Sequence, residues 1–387
     1  MPRVLYVASD LGPTGPAKLV ALLAPALPRP AFEAAVVDLT GGGAAALLRP
    51  LRDAGVPCYA APIRHATDLR GLRDLHRVVA AFAPDVVHVC GPKAALAMAL
   101  LSLPGLRSPA AIIATGLDAP LHGLAARWHR KLTGRVARFV APTLAEADRY
   151  RANGVPADRV TIIPPAVAAC RPRTDAAVSA AAAILRVALG IPWGARLVIA
   201  AGRFDGVAGL KSAVWAFDVV KYVAPDLHLV LVGDGPERDR LDRFSKALGF
   251  DDYRVRFIGL RSDVPQLLGL AELVWVTHER GGVNVALEAM AAGKPVVAFG
   301  NSNREESDLA EIVVEGVTGR FAPPGDRVRL AAISNELLET PEVARALGEA
   351  GRRRATDHFG VDAMASRFAS LYDEVVRTPS RPSADPR

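Results

Sequence analysis

Cysteine is scarce, with Cys58, Cys90 and Cys170 the only three in 387 residues. They are too few and too widely spaced for a disulfide framework or a thiolate zinc site, and they read as reduced, buried thiols. No apolar run approaches the ~20 residues that a membrane span requires. The opening MPRVLYVAS enters a strand directly, without the layout of a signal peptide, so the expectation is a cytoplasmic protein. No Asp-x-Asp pair occurs anywhere. The loop DLGPTGP after the first strand lacks the Gly-Lys-Ser/Thr ending of a P-loop and does not match the dinucleotide fingerprint. An acidic surplus is lacking too. The net charge of +7 favours anionic partners, and leaves nucleic acid, acidic lipid and sugar nucleotides open.

What is present is a globular composition, 51% apolar and 22% charged, in a chain long enough for two domains with full cores. Arg3 to Ser9 reads as a strand and Ala17 to Leu27 as a helix. The runs AAVVDL, VPCYA, PDVVHV, AAIIA, RFVAP and RVTIIP then alternate with helical segments. Continuous apolar strands separated by helices predict a doubly wound parallel sheet. Residues 1–168 form a first Rossmann-like domain. Alanine, arginine and proline dominate a linker at 169–192, with one short helix near Ala180 to Leu189. A second Rossmann-like domain spans 193–360, beginning at ARLVIAAGRF. Helices follow over Arg327 to Glu339, Pro341 to Phe359 and Val361 to Arg377, and the tail at 378–387 reads as disordered.

The chain can be arranged around HERGGVNVALEAMAAGKPVVAF, from His278 to Phe299. Leu273 to Thr277 enters as a strand, Gly281 and Gly282 turn, and Asn284 is the expected N-cap of a helix that Gly293 stops. Pro295 to Phe299 follows as a buried strand. A helix opening onto a glycine loop at the carboxyl end of a parallel strand offers unpaired N–H groups and a positive dipole end, a ready phosphate site. Glu288, read as lying in the first turn, either reaches ligand hydroxyls or complements the dipole.

GGVNVALEAMAAGKPVVA resembles the donor-site segment of the retaining glycosyltransferases of family 4, in the GT-B group. In that family a first Glu, seven intervening residues and a second Glu precede Ala-Met-Ala. The resemblance covers nearly the whole chain and is densest from Leu197 to Asp326. It implies two Rossmann-like domains facing each other across a cleft, with the acceptor on the first and a nucleoside-diphosphate sugar on the second. It implies the last helix crossing back to the first domain, no cofactor, no metal and no nucleic acid partner. Glu288 matches the second Glu, which holds the ribose, and the loop and helix start at Gly281, Gly282, Asn284, Val285 and Ala286 hold the diphosphate. Gly202-Arg203 matches the family's diphosphate-binding arginine, and a planar guanidinium suits paired phosphate oxygens. Gly233 to Pro236, and the loop from Gly259 through Leu260 and Arg261 to Val264, resemble the turns around the nucleotide; plain βα connections are the alternative.

Several positions depart from the family. The first Glu is replaced by Arg280, with Glu279 one residue early, and the lysine five residues after Arg203 is Ala208. Lys211 stands three residues later, about one turn on, where it could project from nearly the same face as that lysine. Beside the transferred sugar the family carries Gly-Gly, and this chain has Gly15-Pro16. On the acceptor side His88 is either a ligand at a strand end or a satisfied strand-end residue, and the family's acceptor histidine is Thr115. From Leu121 to Phe139 the chain carries Arg127, Arg130, Lys131, Arg135 and Arg138 with Trp128 and no acid, either a peripheral contact with anionic membrane or a solvated face. The leading expectation is a metal-independent glycosyltransferase that retains configuration. The alternatives are a catalytically silent GT-B protein that binds a nucleotide or a partner glycosyltransferase, and a sugar-nucleotide epimerase.

Overall fold

The structure, a computed structural model, describes residues 1–12, 14–41, 45–65, 68–101, 110–117, 135–168, 183–184, 186–192, 194–250, 254–261 and 263–377. The chain separates into two units, one of Met1–Ala166 with the segment from Val361, the other of Val167–Gly360. Of the helix expected near Ala180 to Leu189, residues 183–184 and 186–188 are helical, and 180–182 and 185 lie outside the described residues. So do Arg127, Arg130 and Lys131 of the basic stretch.

The first unit is built on β1 (Arg3–Ala8), β2 (Glu33–Asp38), β3 (Cys58–Ala60), β4 (Val86–Cys90), β5 (Ala111–Thr115), β6 (Val136–Ala141) and β7 (Val160–Ile162). Their order is β3-β2-β1-β4-β5-β6-β7, every pair parallel. Alternate side chains of β1 leave on opposite faces. Leu5 and Val7 enter one core with Leu75 and Met98, while Val4 and Tyr6 enter another with Val20 and Phe368. Both faces being covered by helices, the central strands β1 and β4 are buried as near-continuous apolar runs rather than alternating. The Val361–Arg377 helix buries Met364, Ala365, Phe368, Leu371, Tyr372 and Val375, a stripe at helical spacing, into the second of these cores.

The helix expected over Ala17 to Leu27 runs from Gly15 to Ala26. Pro16 sits in its first turn, where the missing N–H has no intrahelical partner to lose. Its ring lies against Gly116, where an added Cβ would stand 2.7 Å from the Pro16 Cγ. Gly15 therefore begins a helix rather than forming an open phosphate loop.

The second unit holds β8 (Arg196–Ala201), β9 (Leu227–Val232), β10 (Val255–Phe257), β11 (Leu273–Val276), β12 (Val296–Phe299) and β13 (Gly319–Ala322), in the order β10-β9-β8-β11-β12-β13, again all parallel. Trp275 on β11 is fully buried, and its indole N–H donates to Ser334 Oγ at 2.8 Å, which satisfies its one polar atom. Burying each such side chain contributes ~1.5–3 kcal/mol. No described helix is long and apolar enough to cross a membrane.

Strand order reverses between β1 and β4 in one sheet and between β8 and β11 in the other. Ligands of doubly wound sheets bind outside the carboxyl ends at such reversals.

Candidate functional site

In the second unit the reversal places two loops side by side. β8 runs into Gly202 and Arg203, and β11 into Thr277 and His278. The N–H of Gly202 is bonded to the Val232 carbonyl at 3.0 Å, and that of Gly233 to the Gly259 carbonyl at 2.9 Å. Neither N–H is free for a ligand, which at Gly233 favours the plain βα connection. Gly233 is needed for packing instead: its φ is 141°, and an added Cβ would stand 1.9 Å from the Gly202 carbonyl oxygen. Asp205 organises the loop beyond Arg203. Its Oδ1 accepts from the N–H groups of Val207 and Ala208, both at 3.1 Å, and its Oδ2 lies 3.6 Å from Arg203 Nε. The Arg203 side chain remains 64% exposed, open to an anion.

Lys211 does not take the place of the family lysine. It sits in the first turn of the Leu210–Val220 helix, and its ammonium lies 4.9 Å over the Phe244 ring. A cation over an aromatic face is held there by the ring quadrupole. Arg261 is engaged as well, its Nε and Nη2 donating to the Asp263 carboxylate at 2.7 Å, while Leu260 beside it is exposed.

The helix after β11 spans Val283–Ala291, with Gly282 as its N-cap at φ 76°. Asn284 is thus the second helical residue and makes no cap, because the left-handed glycine starts the helix two residues earlier. The first intrahelical bond joins the Ala286 N–H to the Gly282 carbonyl at 3.1 Å. Ala286 is therefore not a phosphate donor. The groups without an intrahelical acceptor are those of Val283, Asn284 and Val285. Gly281 donates to buried Asp308 at 2.8 Å, so its N–H is taken too. Glu288 lies beyond the first turn and is half-buried, which removes the dipole-complement reading. Glu279 and Arg280 expose their side chains, and the Glu279 N–H is bonded to the Val207 carbonyl at 3.0 Å.

His278 went unremarked in the sequence and lies where these loops converge. A Cβ on Gly202 would stand 2.9 Å from His278 Nε2, and one on Gly282 would stand 3.0 Å from His278 Cγ. The ring fits only because both positions lack side chains. Burial pulls its pKa down to about 4, opposed by the negative charge of Asp205. The strand-end rule applied to His88 would have picked out His278 equally.

On the first unit the two acceptor-side candidates come together, but in the core. His88 is fully buried, with Nε2 2.7 Å from Thr115 Oγ1 and Nδ1 2.8 Å from the Tyr372 hydroxyl. Tyr372 in turn donates to the Tyr6 hydroxyl at 3.1 Å. Both ring nitrogens are taken, and burial holds the pKa down to about 3, so the ring is neutral and structural. Arg138 of the basic stretch pairs with Glu374 at 2.5 Å. Among the described residues, no group of three or more His, Cys, Asp or Glu could hold a metal ion.

Two parallel-sheet α/β units, each with a reversal of strand order, define the GT-B class. Residues 183–354 match the family model for glycosyl transferases group 1, and residues 14–166 match the glycosyl transferase 4-like domain. Together the two matches support a group 1 glycosyltransferase. Among curated proteins it is 29% identical over 194 residues to the N-acetyl-alpha-D-glucosaminyl L-malate synthase of Bacillus anthracis, covering 50% of this chain and 49% of that one. It is 28% identical over 250 residues to the 2-deoxystreptamine glucosyltransferase of Streptomyces kanamyceticus, covering 63% and 60%. The chain thus aligns with about half to three-fifths of these relatives' lengths. Among solved structures, Anabaena HepE in complex with UDP and glucose superposes with a TM-score of 0.80 at 22% identity, covering 97% of this chain and 100% of that one.

Proposed function

We propose that the chain transfers a sugar from a nucleoside-diphosphate sugar to an acceptor with retention of configuration and without a metal ion. The observation that carries this reading is the convergence at the β8/β11 reversal: an exposed Arg203, and the open N–H groups of Val283, Asn284 and Val285, joined through a ring that touches both loops. Cleaving the sugar–phosphate bond concentrates negative charge on the departing diphosphate. A fixed guanidinium and a helix N-terminus stabilise that charge without reorganising. The UDP complexes of HepE support a nucleoside diphosphate as the leaving group. Family resemblance supports Glu288 as the ribose ligand.

In this family the departing phosphate is thought to take the acceptor proton itself. That route needs no separate base, in keeping with His88 and Thr115 being bonded to each other in the core. The relatives' names span a malate, an aminocyclitol and lipopolysaccharide core, and the pathway we propose is cell-envelope, polysaccharide or glycolipid synthesis. Ala208 and Arg280 favour a second reading, a catalytically silent protein that keeps nucleotide binding.

Incubation with UDP-, GDP-, ADP- and TDP-sugars, with and without EDTA, tests the activity. Release of nucleoside diphosphate that survives EDTA and disappears in Arg203→Ala is the expected result. Nucleotide binding without turnover of any of these sugars would select the silent reading.

A further inference from the structure

We infer that His278 donates a hydrogen bond to the β-phosphate of the bound nucleotide, in the place of the lysine that this chain lacks at Ala208. The inference rests on the donor-site reading above and concerns how that site tells a diphosphate from a monophosphate. Position is the first argument. A Cβ built on Gly202 stands 2.9 Å from His278 Nε2 and 3.1 Å from the Ala208 methyl. The imidazole and the truncated side chain therefore border the same small volume, next to Arg203 and at the carboxyl end of β8.

Orientation is the second. Gly202 and Gly282 flank the ring closely enough that neither could carry a side chain without something shifting, so the ring is confined to one placement. Nδ1 is enclosed and makes no hydrogen bond. With Nδ1 enclosed, Nε2 is the ring nitrogen left to meet a ligand, and it acts as the donor in the tautomer protonated there. The donor then faces the Gly202 side, while the ring as a whole is only half-buried.

Third, two of the other cations near these loops are committed, Lys211 over Phe244 and Arg261 with Asp263, which leaves the exposed Arg280 as the rival to His278. Asp205 on the β8 loop is the charged group that acts on the His278 ring, and Glu279 and Arg280 follow the histidine directly in the chain. Asp205 favours the charged ring, and a bound diphosphate would add to that in the same direction. A bond from a half-enclosed imidazole to a phosphate oxygen is of the charge-assisted kind.

The test compares affinities of UDP, GDP, ADP and TDP, each against its own monophosphate, in the wild-type chain, His278→Gln and His278→Ala. We expect the preference for the diphosphate to fall about tenfold to a hundredfold in both variants, the loss typical of one hydrogen bond to a charged group, with monophosphate affinity of the folded protein unchanged. In parallel, histidine-selective nitrogen NMR of the wild-type chain, with His278 assigned from the signal missing in His278→Gln, should show its ring resonances moving with the diphosphate and staying still with the monophosphate. A preserved diphosphate preference in both variants, or equal loss for the two ligands, would overturn the assignment while leaving the donor site standing. Binding of no nucleotide by the wild-type chain would overturn the donor-site reading, and this assignment with it.

Discussion

His88 and His278 occupy corresponding places in the two sheets, one in β4 beside β1, the other just past β11 beside β8, each at a reversal of strand order. Both rings are held neutral by burial, with pKa values pulled to about 3 and about 4. Their bonding separates them. His88 has Thr115 on one nitrogen and Tyr372 on the other, whereas His278 has one enclosed nitrogen without a partner and the other beside a glycine. The same residue type at the two reversals is a structural tie inside the strand in one unit and, two residues past the strand end, an unfilled contact in the other. A buried polar group with all its bonds made is finished; one with a bond outstanding calls for an explanation.

The largest effect that would sharpen this contrast is on stability. His88→Ala should lower it by ~3 kcal/mol, through the lost packing and the unmatched Thr115 and Tyr372 hydroxyls, with nucleotide affinity of the folded protein unchanged. Denaturant unfolding beside a binding titration measures both. A loss of affinity without a loss of stability would break the contrast. Next comes Arg203→Ala, for which we expect diphosphate affinity to fall by ~2 kcal/mol with stability unaltered, since the guanidinium is mostly exposed in the unliganded chain. Isothermal titration with the preferred nucleotide reads it.

Acid provides the third test. A folded pKa of about 3 for His88 lies below the ordinary value of 6.5, so the unfolded chain binds the proton more readily. The stabilising contribution is therefore complete above pH 6.5 and is lost as pH falls from there toward 3. His88→Gln should flatten that part of the stability profile, and a slope identical to wild type would show that other groups set it. The smallest effect is that of Lys211→Ala. Losing its contact with Phe244 should cost ~0.5–1 kcal/mol of stability, with diphosphate affinity within about twofold of wild type. A larger loss of affinity would restore Lys211 as the substitute for the absent lysine.

The sheets were legible because buried parallel strands are continuous apolar runs, and β9, LHLVLV, has no polar residue but a histidine. Arg203 was legible through a motif. The helix start was misplaced onto Asn284 because side-chain preference for an N-cap does not reveal that Gly282 adopts a positive φ and caps by backbone shape alone. Lys211 was misread for a similar reason: helical spacing gives a face, and Phe244, from another helix, decides where the ammonium rests. The histidines show the limit most plainly. His88 is tied to Tyr372 across 284 residues of chain, a partner that no local pattern contains.

The central claim is a nucleoside-diphosphate site in the second unit, and thermal unfolding with UDP, GDP, ADP and TDP in turn tests it most directly. A ligand at a hundred times its dissociation constant stabilises by ~2.7 kcal/mol, which for a protein of this size raises the midpoint by several degrees. The account predicts such a rise with one of the four nucleotides, cut to about a third in Arg203→Ala at the same ligand concentration and kept in Lys211→Ala. No rise with any of them would contradict it.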